Sequence, residues 1–187
     1  MIRLEKFTEA DFDRFISWID NEKFMYQFAG PYFTFPITRE QLTQYINNNS
    51  RRIYRVVEVN SKRIIGHGEM DKIDLGKKSS RLCRILVSDK SDRNKGYGQQ
   101  IINGLLEIGF GEMDLHRIDL GVFDFNKSAI KCYENCGFKI DGLYRESFVI
   151  GNKSYSVYNM RILRHEWIIK MKNEKSNKPQ RSQRYTL

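Results

Sequence analysis

Residues 93–98 have the sequence Arg-Asn-Lys-Gly-Tyr-Gly and join an apolar predicted strand, residues 82–87, to a helix predicted over residues 96–113. Glycines allow the backbone to come close to a ligand, and a helix start presents unpaired N–H groups at the positive end of the helix dipole. Arg93 and Lys95 add positive charge. The loop therefore has the physical properties of a pyrophosphate-binding turn.

The loop differs from two other phosphate-binding motifs. The segment Gly76-Lys77-Lys78-Ser79 lacks the first glycine of a Walker loop, because position 71 is Asp. A dinucleotide fingerprint is also excluded, since Ile101 stands where its third glycine is required. By itself the loop is equally compatible with a plain turn before a helix, so the prediction depends on a second motif.

The second motif lies further along the chain, where residues 126–138 have the sequence Asn-Lys-Ser-Ala-Ile-Lys-Cys-Tyr-Glu-Asn-Cys-Gly-Phe. The loop matches the (Arg/Gln)-x-x-Gly-x-(Gly/Ala) coenzyme A motif of the GNAT acetyltransferase superfamily, and this segment matches its Asn-x-x-Ala-x-x-x-Tyr-x-x-x-Gly-Phe helix. The spacing between them also agrees, so residues 1–167 resemble this superfamily. Gly-Leu-Tyr-Arg-Glu-Ser-Phe at 142–148 and Arg-His-Glu-Trp at 164–167 resemble the branch of ribosomal-protein and spermidine N-acetyltransferases.

The pattern of apolar residues predicts the element order β-α-α-β-β-β-α-β-α-β-β, in which hairpins alternate with crossover helices. Such an order favours a mixed sheet with helices on both faces. The resemblance implies an α/β (α+β) GNAT fold with a mostly antiparallel central sheet. It also implies that the parallel strands predicted at 82–87 and 118–123 splay apart.

The resemblance further implies acetyl-CoA as cosubstrate and assigns residues to its parts. The pantetheine arm would bond to the backbone of the first splayed strand, where an N–H would also polarise the acetyl carbonyl. The pyrophosphate would lie on the loop, and two residues that begin the following helix would reach the cofactor from the other side. The expected cofactor-binding residues are Ile85, Leu86, Val87, Arg93, Asn94, Lys95, Gly96, Tyr97, Gly98, Asn126 and Ser128.

Tyr133 lies at the family's general-acid position, where its hydroxyl can donate a proton to the leaving thiolate. A phenol with a pKa of about 10 is protonated at neutral pH and therefore suits this role. The alternative is that Tyr133 only packs in the core.

Glu69 is the candidate for the general base that takes the proton of the attacking amine, because it lies in the middle of a strand that the family uses for this purpose. Alternation places His67 on the same face, so His67 is a second candidate. Water is a third route for the proton. Glu69 could also be a solvated or ion-paired side chain without a role in the chemistry.

The acceptor is the least determined part of the prediction. Direct attack within a ternary complex is expected, with a protein N-terminal amine as the first choice. A small-molecule amine, either a polyamine or an aminoglycoside, is the alternative, as is an acyl-CoA-binding module without turnover. Leu82, Cys83 and Arg84 occupy the strand where a polyamine enzyme would be expected to carry another carboxylate, which argues against polyamines. The aromatic-rich segment 24–36 is expected to form one wall of the acceptor cleft.

Composition limits the remaining possibilities. The chain has 187 residues with 12 Phe, 10 Tyr and 2 Trp, which is enough apolar material for one core. No apolar run reaches the roughly 20 residues of a membrane span. Cys83, Cys132 and Cys136 indicate a reducing, cytoplasmic setting, and the last two are predicted to pack rather than to bind a metal.

The formal net charge of +9 is concentrated at one end of the chain. Residues 170–187 contain six Lys or Arg and one Glu, a balance of +5, which leaves +4 for residues 1–169. We therefore predict a catalytic domain over 1–169 and a basic tail over 170–187, and we do not expect nucleic acid binding. The sequence leaves a homodimer open.

Overall fold

The computed structural model describes residues 1–176. Its strands are β1 (Ile2–Lys6), β2 (Arg52–Glu58), β3 (Ile64–Asp74), β4 (Ser79–Val87), β5 (Arg117–Phe123), β6 (Lys139–Ile150) and β7 (Lys153–Leu163). Its α-helices are α1 (Phe12–Ser17), α2 (Glu22–Ala29), α3 (Arg39–Ile46), α4 (Tyr97–Leu106), α5 (Lys127–Asn135) and α6 (Arg164–Ser176). A π-helical turn, Glu107–Glu112, continues α4.

The seven strands form a single sheet in the order β1-β2-β3-β4-β5-β7-β6. Every neighbouring pair is antiparallel except β4 and β5, which pair in parallel from Ser79 and Arg117 to Leu82 and Leu120. Beyond Leu82 the two strands separate, although β5 continues to pair with β7 as far as Phe123. The predicted fold class is confirmed: a mixed, mostly antiparallel sheet with one splayed parallel pair.

Side-chain alternation along β3 assigns its residues to two different cores. Met70 is fully buried in the cluster that α4 forms with the sheet. His67 lies on the opposite face, where its ring centroid is 4.9 Å from that of Phe15 in α1. Glu69 lies on that same face and contacts Tyr45 of α3. Helices therefore cover both faces of β3, and the prediction that His67 and Glu69 share a face is confirmed.

Two helices were not expected from the sequence. The segment 24–36 lacks a clear apolar period, yet α2 begins at Glu22 because the Asn21 side chain caps it by accepting from the Phe24 N–H at 2.8 Å. Met25 and Ala29, one turn apart, are its buried residues. The segment 24–36 extends beyond the end of α2 at Ala29, so its pattern mixes helical with other residues.

The second unexpected helix is α6, which extends across the boundary predicted between residues 169 and 170. Trp167 anchors it, since its ring centroid lies 5.5 Å from that of Phe110. The rest of the predicted basic tail, residues 177–187, lies outside the described residues. Among residues 1–176, no helix has the length and apolarity needed to cross a membrane.

Candidate active site

A cleft of about 870 Å³ opens where β4 and β5 separate. Residues 83–87 of β4 and 121–123 of β5 form its two strand walls, and Phe24 and Phe28 of α2 close one side. The ladder between the strands ends at Leu82, so the β5-facing edge of β4 beyond that point borders the cleft. The structure thus places the predicted Ile85, Leu86 and Val87 where a thin, flexible arm could bond to the β4 backbone.

The glycine-containing loop forms the adjoining end of the cleft, which Arg93, Asn94, Gly96 and Gly98 line. Gly96 caps α4 with a φ of +78°, a left-handed conformation that favours glycine. The first turn of α4 therefore directs its free N–H groups toward this end, as an anion site requires. The backbone at Gly98 is open to the cleft, since a Cβ there would meet only the Cys132 Sγ, at 3.4 Å.

The side chains of Lys95 and Tyr97 have other partners. The Lys95 Nζ lies 3.2 Å from the Asp92 carboxylate, which is buried and which Arg63 also contacts at 3.1 Å. Tyr97 packs against the main core. Asp92 therefore ties the loop to Arg63 and Lys95.

Asn126 and Ser128 line the cleft opposite the loop, but the Asn126 amide is already engaged. Its Oδ1 accepts from the Ala129 N–H at 3.3 Å and from the Ser128 hydroxyl at 3.2 Å, which caps α5. The main structural contribution of Asn126 is therefore to begin the helix that carries Tyr133.

Tyr133 is half-buried and lines the cleft next to Cys83 of β4. Its ring packs edge-on against Phe138, with centroids 6.0 Å apart. Burial raises the pKa of Tyr133 above its usual value. The phenol therefore stays protonated at neutral pH, as a proton donor must.

Two thiols also line the cleft. Burial raises the pKa of Cys83 to about 11, so very little of this thiol is ionised at neutral pH. Cys132 lies beside Gly98 at the loop end, and a hydrogen bond from Cys136 lowers its pKa. The Cys83 thiol beside Tyr133 is therefore a poor nucleophile at neutral pH, which favours direct transfer over a covalent thioester route through this residue.

A buried cluster of opposite charges lies behind β4, on the face covered by α1, α2 and α3. The Arg84 Nη2 is 2.6 Å from the Glu69 Oε1 and 3.1 Å from the Asp71 Oδ2, while its Nε donates to the other Glu69 oxygen. Arg51 lies 3.4 Å from both carboxylates. The Tyr45 hydroxyl also donates to Glu69. The cluster holds two cations and two anions, so it is neutral.

These contacts leave Glu69 poorly suited to act as a base. Its side chain is 0% exposed, and both oxygens are bonded to Arg84. Burial alone opposes charge on Arg84, but the Glu69 carboxylate raises the pKa of this guanidinium above its ordinary value. The guanidinium therefore stays charged and in contact with Glu69, and the ion-paired alternative for Glu69 has geometric support.

His67 is equally enclosed, between Phe7, Phe15 and Tyr45. Its Nδ1 lies 2.8 Å from the Arg84 carbonyl oxygen, which only a protonated Nδ1 can satisfy. Burial lowers the pKa of His67 to about 4. His67 is therefore neutral at physiological pH and has no contact with the cleft through which it could receive a proton.

The aromatic-rich segment 24–36 lines the cleft only in part. Phe24 and Phe28 line the cleft, whereas Met25 and Phe33 are buried in the second core. Tyr32 covers the charge cluster, with its ring centroid 4.2 Å from the Arg84 guanidinium carbon.

Sequence reasoning missed the roles of Arg51, Arg84 and Tyr45. Arg84 stood out only as a residue in place of an expected carboxylate. Its partners come from positions far apart in the chain, so no local motif contains the cluster.

The comparisons with known proteins agree with this geometry. The sequence model of the family described as "Acetyltransferase (GNAT) domain" matches residues 4–158. Spermidine N(1)-acetyltransferase of Vibrio cholerae serotype O1 is 31% identical over 157 residues, which cover 83% of this chain and 89% of that protein.

Solved structures show the same likeness. Spermidine N-acetyltransferase from Vibrio cholerae in complex with CoA and spermine superposes with a TM-score of 0.78 and 27% identity, covering 89% of this chain and 98% of that one. A structure described as dodecameric, of the same enzyme, has a TM-score of 0.74 and 25% identity over 90% of this chain and 97% of that chain.

The splayed sheet, the glycine loop and the Tyr-bearing helix thus define an acyl-CoA-dependent transferase. The chain belongs to the GNAT acetyltransferase family. It is an N-acetyltransferase that uses acetyl-CoA as cosubstrate.

Proposed function

We propose that the chain acetylates a primary amine of a small molecule of the polyamine class, by direct attack within a ternary complex. The observation that most directly supports this proposal is the 31% identity to a spermidine N(1)-acetyltransferase over 83% of this chain. The comparisons therefore favour the acceptor that the sequence placed second. The protein N-terminus, which the sequence placed first, has no support among them.

The cleft supports a division of labour among this chain's residues. The free edge of β4 at residues 85–87 holds the arm of the cosubstrate and offers a backbone N–H to the acetyl carbonyl. The loop at 93–98 and the first turn of α4 bind the pyrophosphate. Tyr133 protonates the thiolate as it leaves. Because Glu69 and His67 are both enclosed, the proton of the amine passes to water rather than to either side chain.

Recognition of a polycation in this proposal does not use Glu69 or Asp71. Arg84 and Arg51 already pair with both carboxylates, so the cluster presents no net negative charge to the acceptor. Residues 82–84 lack the further carboxylate expected of a polyamine enzyme, and the carboxylates on β3 are already neutralised. An acceptor with several cationic groups must be bound by other acidic groups or by carbonyl oxygens.

An acceptor panel tests the proposal. Thiol release from acetyl-CoA would be measured with spermidine, spermine, a diamine, an aminoglycoside and peptides with free N-termini, at equal concentration. The expected result is the highest kcat/KM for a polyamine. A peptide or an aminoglycoside that exceeds all polyamines would overturn the acceptor assignment.

Two further measurements complete the experiment. A thermal-shift titration with acetyl-CoA separates a protein that binds the cosubstrate without turnover from one that does not bind it. Because a Vibrio cholerae relative has been described as dodecameric, the panel would be repeated on each oligomeric fraction from size-exclusion chromatography. We expect activity in an oligomer, and activity confined to a monomer would contradict this part.

A further inference from the structure

Arg84 has an unusual backbone conformation for a buried residue in the middle of a strand. Its φ is +50°, which side chains other than glycine rarely adopt, and only 7% of its surface is exposed. The conformation coincides with a bulge, because His67 pairs with Leu86 while Glu69 pairs with Cys83. One residue of β3 thus opposes two residues of β4.

Other residues with positive φ differ from Arg84 in their surroundings. Within residues 1–176, the six other non-glycine cases are exposed: two lie at register shifts of strands, as Arg84 does, and four lie in turns or loops. They are Lys62, Lys72, Lys78, Asn94, Asp114 and Glu146. At Arg84 the conformation must instead be held by packed neighbours, since an unfavourable backbone geometry persists only where its surroundings determine it.

The neighbours that hold Arg84 are the two residues that the sequence suggested as bases. Glu69 binds the guanidinium through both carboxylate oxygens. His67 donates from Nδ1 to the Arg84 carbonyl oxygen at 2.8 Å. One contact fixes the side chain and the other fixes the peptide group that leads into Ile85.

We propose that Glu69 and His67 are positioning residues, which clamp Arg84 in its left-handed conformation and thereby aim the β4 backbone of residues 85–87 at the acetyl group. The inference rests on the proposed function in one respect, the location of the acetyl group at this edge of β4. The clamp explains why two polar residues on β3 are buried with no contact to the cleft. It also explains why a strand contains an arginine where glycine would be easier to accommodate.

The decisive test combines a loss with a rescue. Glu69→Gln should lower kcat about tenfold to a hundredfold. The β4 N–H would no longer point at the acetyl carbonyl, so the transition state would lose a hydrogen bond. Adding Arg84→Gly should recover most of that loss, since glycine adopts a positive φ without a clamp and the double variant leaves no unpaired guanidinium. A general base at position 69 predicts the opposite, a double variant no more active than Glu69→Gln.

A matched control uses Lys72, which has a φ of +50° on β3 but is exposed. Lys72→Gly relaxes a similar backbone geometry at a distance from the cleft. It should therefore give no rescue when combined with Glu69→Gln. Equal rescue by both glycine substitutions would show a general gain in stability and would overturn the clamp.

His67 supplies an independent arm. His67→Phe removes the donor to the Arg84 carbonyl and should lower kcat by a similar factor. His67→Asn can restore an N–H near the Nδ1 position, so it should retain more activity than the Phe variant. The loss should be constant across pH. Charged groups facing His67 are Glu69 and Arg84 from the strands and Asp11 from the α1 side. Of these three, only Arg84 also lines the cleft. A loss that vanishes at high pH would instead identify a base.

Binding measurements separate this inference from the acceptor proposal. Calorimetry on the full chain should show that Glu69→Gln weakens acetyl-CoA more than CoA, because only the former carries the aimed carbonyl. That result would stand even if no polyamine were acetylated. Equal weakening of both ligands by a folded Glu69→Gln protein, with no rescue by Arg84→Gly, would overturn the clamp whatever the acceptor.

Discussion

The two sides of β4 use their polar groups in opposite ways. On the β5 side, the strand edge, the loop and Tyr133 border a cleft and keep donors available for a ligand. On the side facing α1, α2 and α3, Glu69, His67 and Arg84 bond to one another and are closed to solvent. A chemically reactive residue type therefore does not identify which side of β4 carries the active site. What distinguishes the reactive side is an unpaired backbone next to open space.

The difference also explains why a charged cluster can be buried beside an active site. A buried ion pair gains little net stability over apolar packing, but removing one partner strands the other charge and costs about 3–5 kcal/mol. The cluster therefore fixes geometry more than it adds stability. The β5-facing side of β4, called the open side below, can then border solvent while the strand keeps its position.

The largest expected effect belongs to the open side. Tyr133→Phe removes the hydroxyl that we propose as proton donor to the thiolate, so kcat should fall about a hundredfold or more. The affinity for acetyl-CoA should change little, because the ring keeps its packing against Phe138. Steady-state kinetics with calorimetry would measure both quantities. Normal turnover in the Phe variant would make Tyr133 a core residue and would leave the open side without its proton donor.

A second prediction concerns the stability of the fold and the side of β4 that faces α1, α2 and α3, called the closed side below. Burial holds the pKa of His67 at about 4, below the 6.5 expected when the chain is unfolded. Below pH 6.5 the unfolded chain therefore binds a proton that the folded chain refuses, so stability falls as pH decreases toward 4. The loss from this group is about 3 kcal/mol when complete.

Urea unfolding between pH 7 and pH 4.5 would measure that dependence, with His67→Gln as the control. The Gln variant starts from a lower stability, so the comparison uses the slope against pH rather than the value at one pH. We expect the slope to be shallower in the variant. Equal slopes would mean that His67 binds protons equally in the folded and unfolded chains and that the closed side is more accessible than its contacts indicate.

The same contrast separates what the sequence could predict from what it could not. The loop at 93–98 and the helix with Tyr133 act through backbone geometry and short-range spacing, which a motif records directly. The alternation that places His67 and Glu69 on one face was also readable. Both features are local in the chain.

The closed side was not readable, because its partners are distant in sequence. Arg51 comes from the residue before β2, Tyr45 from α3 and Arg84 from β4, and only the folded chain brings them to Glu69. Without those partners, a carboxylate in mid-strand looks available for catalysis. Helix α2 was missed for a different reason, since the segment 24–36 extends beyond its end at Ala29 and mixes helical with other residues.

A third prediction tests how closely acetyl-CoA approaches the backbone at Gly98. Gly98→Val should weaken acetyl-CoA binding about tenfold or more, equivalent to about 1.4 kcal/mol per factor of ten. A Cβ at this position meets only the Cys132 Sγ at 3.4 Å, so the fold should tolerate the change while the branched side chain enters the cleft. Gly98→Ala serves as the control and should lose much less. Unchanged affinity in a folded Val variant would show that the cosubstrate does not approach the loop.

The smallest expected effect tests whether the open side binds through its backbone or through its charged side chains. Arg93 is exposed, and its guanidinium carbon lies 5.7 Å from the Phe24 ring centroid at the rim of the cleft. An exposed charge contributes little in water, so Arg93→Ala should weaken acetyl-CoA binding only about two- to fivefold, equivalent to the roughly 0.5–1 kcal/mol of a surface ion pair. Because salt screens exposed charges, that difference should shrink between 50 mM and 500 mM salt. Arg93→Lys keeps the charge and should retain most of the affinity. If Arg93→Ala instead exceeded Gly98→Val in its effect, the guanidinium rather than the α4 N-terminus would be the main phosphate ligand. The two sides of β4 would then differ in the exposure of their charged groups rather than in the use of backbone.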